Sequence, residues 1–119
     1  MTRKTLPTLG ELSTFDYSGA IGKGTRIWFG KDKKNTAFVA QEDYEILLTH
    51  FCGKTIKVGN SRRHRPPGSL GAWLKANVTG AVIAAYVAKI LIEEGYATKA
   101  EGPVIQIRPK QINAKGVAR

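Results

Sequence analysis

Apolar and polar positions recur with two different periods along this chain, and the change of period divides it. Phe15-Asp-Tyr17 alternates like a short strand, and so do Arg26-Ile-Trp-Phe29 and Thr36-Ala-Phe-Val39. The last two flank Gly30-Lys-Asp-Lys-Lys-Asn35, whose Gly and Asn suit a turn, so the spacing predicts an N-terminal β-hairpin. From Gln41 the period becomes helical. Tyr44, Leu47, Leu48 and Phe51 form an apolar stripe, Glu42, Asp43 and Glu45 place acid near the helix N-terminus, and Gly53 ends the run. Lys54-Thr-Ile-Lys-Val58 is again strand-like. Ser69 is an N-cap for a helix to Asn77, with Leu70, Trp73 and Leu74 on one face. Val78-Thr79-Gly80 breaks it, with Thr79 placed to cap a second helix, Ala81 to Glu94, which Gly95 stops. Tyr96 to Lys99 and Val104 to Arg108 read as a second hairpin, closed by Pro109, which lacks an N–H for the ladder.

These elements fit an α+β domain spanning residues 14–109. Residues 1–13 are polar and interrupted by Pro7 and Gly10, and read as a flexible arm; residues 110–119 read as a basic tail. Apolar residues occupy nearly every side of Ala81 to Ile92, so that helix is expected to be buried on two sides or to form half of a homodimer interface. The apolar run from Gly80 to Ala88 is too short to span a bilayer, and no apolar stretch follows the basic N-terminus as in a secretory signal. A cytoplasmic protein without membrane association is the simplest expectation. The lone Cys52 has no internal disulfide partner and is expected to be a small buried side chain.

From Gln41 to Arg108 the order helix, strand, helix, helix, strand, strand resembles the winged helix-turn-helix superfamily. The phrase Ala85-Tyr-Val-Ala-Lys-Ile-Leu-Ile-Glu-Glu-Gly-Tyr-Ala97 resembles the end of a recognition helix running into a wing. The resemblance implies a winged-helix-like fold and DNA binding first, with protein-interaction modules as a minority. One feature departs from it. A groove-reading helix exposes Arg, Lys, Asn or Gln near its N-terminus, and Gly80-Ala-Val-Ile-Ala-Ala85 offers none.

Charge strengthens the nucleic-acid expectation. Nineteen Lys and Arg against nine Asp and Glu give a formal net charge of +10, which favours a polyanionic partner. The densest positive run is Gly59-Asn-Ser-Arg-Arg-His-Arg-Pro-Pro-Gly68, rich in the planar guanidinium that matches phosphate or guanine. The candidate contact set is therefore Asn60, Ser61, Arg62, Arg63, His64 and Arg65 in this loop, with Lys31, Lys33 and Lys34 at the first hairpin, and Lys75, Lys99 and Arg108 beyond it. Duplex DNA is the favoured ligand. The alternatives are RNA, with Tyr17 or Trp28 stacking on bases, and a protein partner on the apolar helix. Trp28 and Phe29 are adjacent and must face opposite sides of their strand, and burial in core or interface is the ordinary fate of Trp28.

Enzymatic chemistry finds little footing. Gly19-Ala-Ile-Gly-Lys-Gly-Thr25 has too short a glycine spacing for a phosphate loop, and Gly24 separates Lys23 from Thr25. The acids at the start of the first helix are matched to its dipole, and Thr55-Ile-Lys57 lacks the acid of a nuclease strand. His50 and His64 have no ligand cluster around them, and no nucleophile–base pair stands out. The expectation is a non-enzymatic protein with no cofactor or metal.

Overall fold

In the computed structural model, residues 3–8, 13–59, 65–109, 113–114 and 117–118 are described. The chain opens with a meander, β1 (Lys4–Pro7), β2 (Thr14–Ala20), β3 (Gly24–Phe29) and β4 (Asn35–Val39), in a four-stranded antiparallel sheet of that order. The predicted hairpin is β3–β4, its turn tightened by a 3₁₀ segment at Lys31–Lys33. Then come α1 (Gln41–His50), β5 (Thr55–Lys57), α2 (Leu70–Asn77), α3 (Ala84–Glu93), β6 (Ala97–Lys99) and β7 (Val104–Ile107). The last three strands make a second antiparallel sheet of order β5–β7–β6, so β7 returns between its two predecessors. A two-residue ladder joins β8 (Asn113–Ala114) to β9 (Val117–Ala118) within the expected basic tail. The described residues thus form a mixed α+β structure with three α-helices and two larger antiparallel sheets.

Part of the segment read as an arm is a strand. β1 pairs in register with β2, from Lys4 opposite Tyr17 to Pro7 opposite Thr14. Pro7 is compatible because β1 is an edge strand and Pro7 is its last residue, where a missing N–H costs the ladder least.

Local chemistry sets the helix ends. The Ser69 hydroxyl accepts from the Ala72 N–H at 3.1 Å, as its sequence position predicts. At α1 the N-cap is Ala40, which has no side-chain acceptor; the Asp43 carboxylate reaches back to the Ala40 N–H at 3.2 Å. α3 starts at Ala84, three residues later than its apolar run. The Thr79 hydroxyl accepts from the Ala81 N–H and so caps a turn before the helix. Its far end is a full Schellman motif: Gly95 at φ +87° donates to Ile92 O and Tyr96 donates to Leu91 O.

One hydrophobic core joins both sheets and all three helices. The inner face of the meander supplies Phe15, Tyr17, Ile27 and Val39, α1 supplies Tyr44 and Leu47, and the second sheet supplies Ile56, Ile105 and Ile107. α3 lies in the middle. Its Val87, Ala88, Ile90 and Leu91 are buried, and the Tyr86 ring sits 5.0 Å from both Phe15 and Phe29 of the meander. α3 is thus buried against the chain's own first sheet on one side, while Ala85, Lys89 and Ile92 are half-buried.

Buried polar groups join the halves of the core. Glu94, just after α3, accepts from the Tyr17 hydroxyl and from the Ile21 N–H, each at 2.9 Å. Burial, then the hydrogen bond to Glu94, pushes the Tyr17 hydroxyl well above its usual range. Tyr44, with no exposed surface, shares a 2.7 Å hydrogen bond with Thr25, and burial raises it likewise. Tyr17 is therefore a core residue and is removed from the base-stacking candidates. Cys52, expected to be buried, is exposed at the end of α1.

Candidate nucleic-acid interface

The candidate cations fall into separate groups. Lys31 and Lys34 are exposed at the β3–β4 turn, whereas Lys33 is half-buried and turned back onto the sheet. Its Nζ donates to Asp16 at 2.8 Å. The Arg3 guanidinium donates to the same carboxylate at 2.8 Å, and the Thr5 hydroxyl donates to it at 2.6 Å. The Lys33 hydrogen bond foremost, then that of Thr5, holds the Asp16 carboxyl below the usual carboxylate range. Lys33 thus has an internal partner, while its neighbours in sequence face solvent.

Of the candidates in the arginine loop, Arg65 is described, whereas Asn60, Ser61, Arg62, Arg63 and His64 lie outside the described residues. The Arg65 Nη2 donates to the Gly80 carbonyl at 3.1 Å in the α2–α3 turn. That turn exposes Gly80 and carries no cation or amide through Ala85, in keeping with the composition. Arg65 brings positive charge to the start of α3, whose own first cation is Lys89. Lys75 is exposed in the last turn of α2.

On the second sheet, Thr55, Lys57, Thr98 and Gln106 are exposed. Lys57 was absent from the sequence-derived set; its place between buried Ile56 and buried Val58 was the available signal. Lys99 stands at the β6–β7 turn, its Nζ 3.4 Å from the carbonyls of Ala100 and Gly102. Arg108 stands at the opposite end of that ladder, where its backbone N–H donates to Tyr96 O. Its side chain borders a cleft of about 710 Å³ shared with Ile21, Tyr44, Glu45, Tyr96 and Pro109. Arg108 and Lys99 therefore belong to different surfaces.

Sequence reasoning missed a further surface, the outer face of the meander. Strand register puts Asp16, Arg26, Trp28, Thr36 and Phe38 on the side away from the core. Trp28 is half-buried there, with the Arg3 guanidinium 4.0 Å from its ring centre. Phe29, on the opposite face, packs on Tyr86 as the adjacency of the two rings required. Arg26 lies 5.5 Å from the ring centre of its cross-strand neighbour Phe38, which is 51% exposed. The alternation in Arg26-Ile-Trp28 was the signal, but which side was outer needed the sheet.

Comparison with family models, curated proteins and solved structures finds no match to this chain.

Proposed function

We propose that the protein is a non-enzymatic DNA-binding module of winged-helix type, a regulatory or accessory factor that contacts the duplex mainly through basic loops. The observation that carries this reading is the order α1–β5–α2–α3–β6–β7 with β7 between β5 and β6. That succession resembles the winged helix-turn-helix, and in this reading the β6–β7 turn serves as the wing. The net charge of +10 supports a polyanion as ligand.

In this reading α3 is a structural helix. Its buried and half-buried apolar side chains hold the two sheets together, and contact falls to the segments around it. Arg65 at the α2–α3 turn and Lys99 at the β6–β7 turn are the described residues assigned to phosphates. Arg62 and Arg63 extend that set on the sequence alone, and Lys31, Lys34 and Lys75 supply longer-range attraction. Cations on loops that touch phosphates bind with little sequence preference and with steep salt dependence.

The test is a salt-titrated gel shift with random duplex DNA, hairpin RNA and single-stranded DNA. Retarded duplex that is released by added salt supports the reading. Arg62→Ala with Arg63→Ala is expected to lower duplex affinity about tenfold or more and to flatten the salt slope. Absence of any nucleic-acid shift at low salt would refute it.

A further inference from the structure

The outer face of the β1–β4 meander is built from alternating flat rings and flat cations, and the DNA-binding reading does not use it. Trp28 on β3 and Phe38 on β4 are diagonal neighbours on this face, since Trp28 pairs with Thr36 and Arg26 with Phe38. Each ring has a guanidinium over it, Arg3 at 4.0 Å from the centre of the Trp28 ring and Arg26 at 5.5 Å from that of Phe38, so a base stacking there would displace or sandwich with the arginine. α1 and α3 pack against the other side of the sheet, through Tyr44 and Thr25 and through Tyr86 with Phe15 and Phe29.

We propose that this face binds single-stranded nucleic acid, with unstacked bases on Phe38 and Trp28 and phosphates on Arg3 and Arg26. Three features favour that occupant. First, an exposed phenylalanine among arginines matches a ligand that is both aromatic and anionic. A second protein would meet a face too charged to serve as an apolar interface core. Second, the local charge is positive even with Asp16, because Arg3 and Lys33 both pair with that single carboxylate and Arg26 adds to them. Past the end of β3, exposed Lys31 and Lys34 outnumber the exposed Asp32 between them, so the turn adds one further positive charge.

Third, the geometry selects against a duplex. Diagonal neighbours on adjacent strands lie about 7–8 Å apart. Bases stacked in a duplex strand step by about 3.4 Å. Side chains rooted at about twice that spacing suit bases splayed out of a stack, as single strands can present them. The tip of the Phe38 ring lies beside Gly24, where a Cβ would come within 3.1 Å of its Cζ, and the residue is 51% exposed.

The experiment uses the full chain carrying Trp73→Phe, which leaves Trp28 as the only tryptophan. Fluorescein-labelled dT12, the corresponding U12 and a 20-base-pair duplex are each titrated, with anisotropy for binding and Trp28 emission for stacking. The expected result is binding of at least one single strand with quenched Trp28 emission. Phe38→Leu keeps an apolar cover on Gly24 but removes the ring, and is expected to weaken single-strand binding about 5- to 150-fold. Duplex affinity is expected to change less than twofold in that variant. The dT12 and U12 arms separate DNA from RNA as the source of the strand, and preferred binding of either supports the proposal. Unquenched Trp28 on binding, or single-strand affinity unchanged in Phe38→Leu, overturns it. Equal loss of duplex and single-strand binding also overturns it, because the face would then be a general electrostatic surface. Failure of the duplex arm alone counts against the winged-helix reading and leaves this one standing.

Discussion

Asp16→Asn is the substitution whose consequences can be worked out furthest. The side chain is 13% exposed and accepts from Lys33 Nζ, Arg3 Nη2 and Thr5 Oγ1 within 2.6–2.8 Å. Asparagine has nearly the same shape, so the change removes charge with little effect on packing. The partner side chains are 43% exposed for Arg3 and 29% for Lys33, so solvent screens both ion pairs. Each is then worth about 0.2–1 kcal/mol. The Thr5 hydrogen bond passes from charge-assisted to neutral, a loss of about 1 kcal/mol. The sum is about 2 kcal/mol, or roughly 5–10 °C in Tm for a domain of this size.

The pH dependence has a fixed sign. The folded Asp16 carboxyl titrates below its ordinary value of 3.8, so its stabilisation is complete above that value. It is lost as pH falls through the lower folded pKa. Urea unfolding of wild type and Asp16→Asn at pH 7, and again in increasingly acid solution, reads the effect directly. The gap between the two is expected to be widest at neutral pH and to close on acidification. A gap under about 0.5 kcal/mol at pH 7, or one that persists unchanged in acid, would refute the reasoning.

Other substitutions probe the scaffold. A Cβ on Gly71 would stand inside the carbonyl oxygen of Gly59, where the Gly71 N–H now donates to Val58 O at 2.8 Å. Gly71→Ala is therefore expected to destabilise by about 1–3 kcal/mol despite the better helix propensity of alanine, as read by denaturant midpoint. Tyr44→Phe strands the buried Thr25 hydroxyl at a cost of about 1–3 kcal/mol, and adding Thr25→Val should recover much of it; a double-mutant cycle without coupling would contradict the 2.7 Å bond. Glu94→Ala removes the acceptor of both the Tyr17 hydroxyl and the Ile21 N–H, and faster amide exchange at Ile21 is the expected signature.

What the sequence reveals here is local. The Ser69 cap, the Gly95 stop and the β3–β4 turn each depend on neighbours a few residues apart, and all three stand as read. The stripe of Tyr44, Leu47 and Phe51 is buried as its period requires. Features set by distant register were illegible. Nothing in Arg3, Asp16 and Lys33 announces a shared carboxylate, because the meander brings together residues 13 and 17 positions apart. Pro7 reads as a breaker unless its strand is known to be an edge. Tyr17 and Trp28 look equally fit to stack on a base, and only the sheet turns the first inward and the second outward. The apolar circumference of α3 is plain in the sequence, but its cover, Phe15 and Phe29 of the first sheet, is visible only in the fold.

We propose that duplex DNA is held through cations on loops around a buried helix. The affinity for a random duplex of about 20 base pairs between about 50 and 200 mM salt, in wild type and in Arg65→Ala with Lys99→Ala, decides this. The expected log–log slope is steeper than about −3, a loss of more than roughly sixtyfold across that range, with a flattening of about 1–2 in the double variant. Duplex binding that ignores salt, or a slope that the two substitutions leave unchanged, would contradict it.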